Sequence, residues 1–301
     1  MKGNHVLDST PLPEADRDHF DRQGYLIVRQ ALDEATVARL LEAGDRLLAS
    51  DLRTGRQQAT HGRTDGFRNT IALDDNFIPL IDHPRILPTV VQLLGADLQI
   101  MTSHLIHKRP DPPGTPMTHR SPGWHRDYAM AMDDMGHRAI PRLLLKCAYY
   151  LTDLSEPANG VTMVVPGSHL LTSPPEDIDG GDPTGAVEPS LQPGDCLLFE
   201  NRTFHAGGVH LGPATRKAIM IGYGYRWVVP MDYRTQSREF VDKLTPLQRF
   251  LVGEPYEDVA EFQVHGGRNP LKEWCQEHGF PEARHPKAQG TVEARSERRD
   301  T

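Results

Sequence analysis

A histidine and an aspartate separated by one residue, His125 and Asp127 in "GWHRDY", are residue types that bind transition metals. Two histidines and one carboxylate can occupy one face of a redox metal and leave its other positions open. The same tripeptide form recurs at His19 and Asp21, so the spacing alone does not identify a site. The secondary structure around each pair decides whether its side chains can reach one ion.

Strand and helix geometry distinguish the two pairs. In a strand, residues two positions apart point to the same face, whereas in a helix they lie roughly 200° apart. His19 and Asp21 fall in helix-like sequence and therefore diverge. His125 and Asp127 follow a loop rich in Pro and Gly and begin a region of short strands, where both could bind one ion.

The third ligand must come from another strand, and His137, His169, His205 and His210 are available downstream. His205 is best placed, because it lies near the end of the strand-like run "CLLFENRTFHAGG", whose small residues leave room beside a metal. Spacing does not separate this role from that of an ordinary core or loop histidine. His205 is therefore the predicted ligand, with a packed histidine as the alternative.

Arg216 lies 11 positions after His205, at the start of the strand-like run "RKAIMIGYGY". A guanidinium that enters an apolar barrel requires an anionic partner, and its planar fork matches a carboxylate. A metal beside such an arginine suggests a co-substrate that chelates at one end and is anchored at the other, as 2-oxoglutarate would be. The alternative is an Arg216 on the surface or paired with an internal Asp or Glu.

The pattern of apolar residues predicts helices on both sides of a central region of strands. Helical spacing covers 14–23, the stretch after Asp33, and 85–94, and it returns after residue 238. In between, short runs rich in β-branched and aromatic residues are separated by Pro, Gly, Asn and Asp clusters, which is typical of a sandwich or barrel. The predicted class is mainly β with flanking helices.

We expect a single domain with one β core. The predicted domain covers residues 1–281. Its β core covers about 98–230, and its two helical flanks cover 14–95 and 238–279. The segment 282–301 is charged and nearly free of large apolar residues, which predicts a disordered tail. The loop 110–123 is long for a compact domain and is a predicted lid.

Composition argues against several classes of protein. The formal net charge of −8 argues against a nucleic-acid-binding surface. No apolar run is long enough to span a membrane, and the N-terminus lacks the apolar stretch of a signal peptide. The 3 cysteines show no CxxC spacing, so we expect unpaired thiols and a cytoplasmic location.

Taken together, the sequence resembles the phytanoyl-CoA dioxygenase family of Fe(II)- and 2-oxoglutarate-dependent oxygenases. The stretches that match span about 100–230 and follow the family's order: "HLIHKRP", "WHRD", "YYLTDLSEPANGVTMVVPGSH", "LQPGDCLLFENRTFHAGG" and Arg216. Each is weak alone, but their order and intervals agree. The resemblance implies a double-stranded β-helix (a jelly roll, or cupin-like barrel) and an enzyme that uses Fe(II), 2-oxoglutarate and O2.

The resemblance also implies roles for individual residues. Iron ligands are expected at His125, Asp127 and His205. Arg216 is expected to bind the distal carboxylate of 2-oxoglutarate, and Thr162, in "NGVT", to contact the co-substrate.

One residue departs from the family pattern and one agrees with it in an informative way. Many members have a polar side chain two positions beyond the distal histidine, where this chain has Gly207. Halogenating relatives replace the triad carboxylate by Gly or Ala, so the presence of Asp127 argues against halogenation. Hydroxylation of an aliphatic C–H bond is the expected outcome.

Residues near the metal pair and after the Arg216 strand are candidates for a substrate pocket. They are Trp124, Tyr128, Met130, Arg226 and Trp227, and ordinary packing is the alternative for each. They suggest a small, partly apolar substrate, such as a natural-product intermediate or, alternatively, an amino acid or primary metabolite. No basic cluster suited to a nucleotide phosphate is evident.

Two other functions fit the same fold class. A cupin-type metal dioxygenase without a co-substrate would leave Arg216 without a role. A non-catalytic jelly-roll binding protein would not need an intact set of three metal ligands and an arginine. Dependence on 2-oxoglutarate separates the oxygenase from both.

Overall fold

The computed structural model describes residues 6–50, 63–176, 181–254 and 268–283. The helices are α1 (Glu14–Gln23), α2 (Glu34–Ala49), α3 (Ile86–Leu94), α4 (Ala129–Met135), α5 (Arg238–Val241), α6 (Pro246–Leu251) and α7 (Pro270–Glu277). The strands are β1 (Tyr25–Val28), β2 (Thr64–Arg68), β3 (Leu98–Lys108), β4 (Leu144–Tyr150), β5 (Thr162–Val164), β6 (Cys196–Glu200), β7 (His205–Gly207) and β8 (Arg216–Tyr225). The predicted tail lies outside the described residues from position 284 onward.

The N-terminal helices begin and end where the sequence predicts. Helix α1 stops at Gly24, whose φ of 78° is left-handed and therefore favours glycine. The side chain of Asp33 accepts a hydrogen bond of 2.7 Å from the backbone N–H of Thr36 and so caps α2. Helix α3 ends at Gly95. These caps confirm the helices expected before the β core.

Two antiparallel sheets form the centre of the molecule. The larger sheet has the strand order β1-β6-β4-β8-β3-β2, and the smaller sheet pairs β5 with β7. Isolated bridges, such as Val164 with Val187 and His125 with His205, extend the smaller sheet into the adjoining loops. The arrangement, with helices flanking the larger sheet, is the jelly roll that the sequence predicted.

Alternation along the central strands separates a helix-facing core from a cavity-facing layer. On β4, Leu145, Cys147 and Tyr149 belong to the large core that includes the flanking helices. Ala148 and Tyr150 pack instead with residues of the smaller sheet. The functional residues described below lie on that second face, because strand side chains alternate with a period of two.

The larger sheet extends beyond the predicted β core. Strand β2 lies in the predicted helical flank and pairs with β3 from Thr64 opposite Lys108 to Arg68 opposite His104. The sequence "TDGFR" was not predicted as a strand because it lacks an alternating apolar pattern; the open edge of β3 imposes the extended conformation. The helices after residue 238 are confirmed, with a break before Pro246.

Two expectations drawn from composition can be compared with the structure. All 3 cysteines are buried and unpaired, as the absence of CxxC spacing predicted. Within the described ranges, no helix is both long enough and apolar enough to cross a bilayer.

Gly66 permits the close approach of β2 to β3, and its substitution tests that packing. A Cβ atom at this position would lie 2.0 Å from the backbone oxygen of Leu105. We expect Gly66→Ala to lower the free energy of unfolding by about 1–3 kcal/mol, because the strands must separate. Urea denaturation measures this loss, and Gly123→Ala, whose Cβ would meet no heavy atom within 4 Å, is the control. Equal stability of the two variants would contradict the packing.

Candidate metal centre

Three side chains from two backbone segments converge on one point. One ligand atom from each of His125, Asp127 and His205 lies within 4.8 Å of the other two. The segments are joined by reciprocal backbone hydrogen bonds of 2.9 Å between His125 and His205. A third backbone bond, 3.0 Å from the N–H of Asp127 to the carbonyl of Asn201, continues the pairing. The predicted residues therefore form a His-Asp-His cluster that could hold a metal ion.

The extended backbone at 125–127 points the middle residue of the tripeptide away from the cluster. Arg126 is buried and donates hydrogen bonds of 2.6 Å to the carbonyl of Ser168 and 3.0 Å to that of Leu171. The side chains on either side of it consequently share the opposite face, as the strand argument requires.

Backbone carbonyl groups orient both imidazoles. Nδ1 of His125 lies 2.7 Å from the carbonyl oxygen of Gly123, and Nδ1 of His205 lies 2.9 Å from that of Thr203. A proton on each Nδ1 leaves Nε2 with a free lone pair, which is the form that binds a metal. Burial lowers the pKa of His205 to about 3, so its ring is neutral and ready to coordinate.

The carboxyl group of Asp127 is ionised. Burial raises its pKa, but the Lys146 ammonium, 2.6 Å from Oδ2, outweighs burial and leaves the pKa below its usual value. Oδ2 lies 3.8 Å from Nε2 of His205. The cluster thus presents two imidazole nitrogens and one carboxylate oxygen, the donor set of an Fe(II) facial triad.

The other downstream histidines are engaged elsewhere. Nδ1 of His137 lies 3.2 Å from the guanidinium of Arg126. Nε2 of His169 lies 3.1 Å from the carbonyl oxygen of Asp21, and Nε2 of His210 lies 2.7 Å from that of Ala214. His205 is therefore the downstream histidine that the fold brings to His125 and Asp127.

A cavity of about 250 Å³ adjoins the cluster and contains Arg216. This arginine is 5% exposed, and its guanidinium carbon lies 5.3 Å from the centre of the Tyr150 ring. Nε and Nη2 have no hydrogen-bond partner among the described residues. Because a buried guanidinium without an anion is costly, these orphaned donors fit a carboxylate ligand such as an end of 2-oxoglutarate.

Thr162 also lines this cavity. Its hydroxyl oxygen accepts a hydrogen bond of 2.7 Å from the hydroxyl of Tyr150, the ring over which Arg216 lies. The predicted co-substrate residues are therefore linked through Tyr150 and face the same cavity as the triad.

Gly207 is explained by the loop that precedes the triad. A Cβ atom here would lie 2.2 Å from the backbone oxygen of Ser121. The loop 110–123 is held against β7 at this point, by a 2.9 Å bond from the N–H of Ser121 to the carbonyl of Gly207 and a return bond from the N–H of Gly207 to Pro122. Backbone atoms of the loop thus occupy the space that a side chain at position 207 would need.

The predicted pocket residues that flank the tripeptide lie beside the cavity rather than on its wall. Trp124 stacks on Phe204 with 5.9 Å between ring centres, and its indole N–H donates to Asp182. The hydroxyl of Tyr128 donates a 3.2 Å bond to the carbonyl of Val229. Met130, on α4, is 60% exposed. Their contact with substrate remains a prediction.

The predicted pair after β8 is not brought to the cavity wall. The guanidinium of Arg226 lies 4.1 Å from the centre of the Phe250 ring and donates to the Phe250 carbonyl, so α6 binds it. Arg226 lies ten residues beyond Arg216 along an extended chain, roughly 30 Å at about 3.3 Å per residue. Trp227 stacks on Tyr225 and is 55% exposed.

Sequence reasoning missed several residues of the cavity, among them Lys146 and His104. Lys146 interrupts the apolar run of β4, and His104 lies within the apolar run of β3. Both line the cavity, and Nε2 of His104 has no hydrogen-bond partner among the described residues. A charged or polar residue inside an otherwise apolar strand could have identified them.

Comparisons with known proteins agree with this geometry. The family model "Phytanoyl-CoA dioxygenase (PhyH)" matches residues 20–218. Dioxygenase cdmD of Talaromyces verruculosus is 24% identical over 275 residues, which cover 83% of this chain and 86% of that protein. Ectoine dioxygenase of Halomonas elongata is 27% identical over 275 residues, covering 82% and 78%. The iron/alpha-ketoglutarate-dependent dioxygenase ausU of Aspergillus calidoustus is 32% identical over 177 residues, about half of each chain, at 56% and 54%.

Solved structures share the fold. The epimerase SnoN, in complex with Fe3+, alpha-ketoglutarate and nogalamycin RO, has a TM-score of 0.55 and 22% identity, covering 85% of this chain and 93% of its own. The carbocyclase SnoK has a TM-score of 0.56 and 19% identity, covering 85% and 98%. With its His-Asp-His cluster and its family match over residues 20–218, the chain belongs to the phytanoyl-CoA dioxygenase family and is an oxygenase that depends on iron and 2-oxoglutarate.

Proposed function

We propose that His125, Asp127 and His205 hold Fe(II) and that Arg216 binds the distal carboxylate of 2-oxoglutarate. The observation that carries this assignment is a single cavity of about 250 Å³ that contains the three ligand residues and a buried guanidinium with orphaned donors. Thr162 is proposed as a further co-substrate contact. A cupin-type enzyme without a co-substrate would have no anion for Arg216.

The residues prepare the site before any reaction begins. Iron with 2-oxoglutarate supplies the oxidation of an aliphatic C–H bond, coupled to the conversion of 2-oxoglutarate and O2 to succinate and CO2. The carbonyls of Gly123 and Thr203 orient the two imidazoles, so these two ligands need no reorientation to bind a metal. Asp127 carries the negative charge that binds the metal. Arg216 fixes one end of the co-substrate and thereby orients the other.

For the substrate we propose a natural-product intermediate that is partly apolar. Relatives such as cdmD and ausU are fungal dioxygenases, and nogalamycin RO occupies a structural neighbour with the same fold. Helix α4 begins two residues after Asp127 and has no buried side chain, and Tyr128 joins it to the exposed Val229. This exposed surface carries apolar side chains such as Met130 and Val229 and suits a partly apolar ligand that extends beyond the cavity. The reaction proposed is hydroxylation, which the triad carboxylate favours over halogenation.

A second substrate class has support from one relative. Ectoine dioxygenase aligns with 82% of this chain, so a small polar metabolite is the alternative to a larger apolar one. Each class is tested by adding representative compounds to the iron-loaded protein and measuring the consumption of 2-oxoglutarate. A natural-product substrate should accelerate consumption and acquire oxygen in the product, as mass spectrometry would detect. Acceleration by ectoine-like molecules alone would favour the alternative.

The proposed iron ligands can be tested by anaerobic spectroscopy. We expect Fe(II) and 2-oxoglutarate together to produce a visible metal-to-ligand charge-transfer band in the wild-type protein. The His205→Ala variant should lose this band and at least 100-fold in turnover, on the order of the loss when a catalytic group is removed. His278→Ala, which alters an exposed histidine, is the control and should behave as wild type. A band that survives in His205→Ala would remove His205 from the triad.

The arginine assignment predicts a selective loss of co-substrate affinity. Truncating one partner of a buried charge pair costs about 2–5 kcal/mol, so Arg216→Met should raise the KM for 2-oxoglutarate roughly 30-fold or more. Iron affinity should change much less, and Arg216→Lys should recover part of the loss, because it restores the charge without the fork. Arg238→Met, at an exposed arginine, is the control. Loss of iron with an unchanged KM would show that Arg216 is not the anchor.

A further inference from the structure

Lys146 is a partly buried cation on the cavity wall that the proposed function does not yet use. It lies on β4, whose alternation points it, with Ala148 and Tyr150, toward the smaller sheet. Its side chain is 15% exposed, and Nζ lies 5.6 Å from the centre of the Phe199 ring. Its ion-pair partner is Oδ2 of Asp127, at 2.6 Å. The lysine therefore forms an ion pair with the carboxylate that would also bind the metal.

The charges of the cavity wall are unbalanced. Three cationic side chains line it, Arg68, Lys146 and Arg216, whereas Asp127 is the one carboxylate among the described lining residues. Arg68 has a counterion outside the wall, since its Nη1 lies 3.8 Å from Asp232. Burial, with the neighbouring charges of those three cations, holds the pKa of His104 well below its usual value, so His104 is neutral. The cavity wall consequently offers Lys146 and Arg216 one carboxylate, and that carboxylate is paired with Lys146.

Metal binding would increase this imbalance. A divalent cation at Asp127 must compete with the Lys146 ammonium for the carboxylate, and the two positive charges then repel each other at short range in a site of low dielectric. 2-Oxoglutarate brings two carboxylates, one for each of the two cations left without an anion. Its binding would therefore relieve the repulsion that the metal creates.

We propose that Lys146 couples the loading of metal and co-substrate: its ammonium pairs with Asp127 before metal binds and, once the metal takes that carboxylate, binds a carboxylate of 2-oxoglutarate. This inference rests on the proposed function, because it requires metal at the triad. Lys146 is a positioning residue whose effect is to weaken the binding of metal alone and to strengthen the binding of metal with co-substrate. By reciprocity, metal strengthens 2-oxoglutarate binding by the same factor.

Equilibrium titration with Mn(II), a redox-stable probe, measures this coupling without turnover. Free Mn(II) is followed by electron paramagnetic resonance, with and without 2-oxoglutarate. We expect Lys146→Met to bind Mn(II) alone about tenfold more tightly than wild type, because the competing charge is gone. The enhancement of Mn(II) affinity by 2-oxoglutarate should fall by about tenfold.

Matched variants separate charge from packing. Lys146→Arg retains the cation and should retain most of the enhancement. Lys146→Gln also removes the charge, and it replaces Lys146→Met in the experiment if Lys146→Met does not fold. Lys243→Met is the control, since Lys243 is 44% exposed and pairs with the exposed Asp75. It should leave both affinities unchanged.

The outcomes distinguish this inference from the proposed function. If Lys146→Met binds Mn(II) no more tightly than wild type, or keeps the full enhancement by 2-oxoglutarate, the coupling role is overturned while the triad stands. If 2-oxoglutarate still enhances Mn(II) affinity in full but the variant loses affinity for the substrate that the enzyme hydroxylates, Lys146 would bind an acidic group of that substrate instead. A wild-type protein that binds no Mn(II), or shows no response to 2-oxoglutarate, would overturn both.

Discussion

The backbone pairing between His125 and His205 is the interaction on which the site depends. Two hydrogen bonds of 2.9 Å join segments that are 80 residues apart in the chain. Because strand side chains alternate, this single register places both imidazoles and the Asp127 carboxylate on one face and sends Arg126 to the other. A shift of one residue in either segment would exchange these faces and remove the cluster.

The same alternation in the larger sheet furnishes the rest of the cavity. Strands β3, β4 and β8 each direct one set of side chains toward the helices and the other toward the smaller sheet, where His104, Lys146 and Arg216 lie. Most of that layer is apolar, so the polar side chains work in a site of low dielectric. An unpaired charge is costly in such a site, so the excess of cationic side chains favours a small anionic co-substrate.

The proposed sites for co-substrate and substrate differ in their surroundings. The cavity has a volume of about 250 Å³, which is of the scale of a small dicarboxylic acid. Outside it, α4 and the exposed residues Trp227, Val229 and Met231 offer apolar surface without a buried counterpart.

The sequence by itself determined the parts that depend on local spacing. The His-x-Asp tripeptide, the interval to Arg216, the helix caps and the alternating strand runs all follow from periods of two or 3.6 residues, which are visible in one dimension. Only the tertiary structure decided which histidine joins the pair, that β2 extends the sheet, and that Arg226 contacts α6. It also decided that Lys146 meets Asp127, 19 positions away, because that contact arises from packing one sheet against another and leaves no periodic trace in the chain.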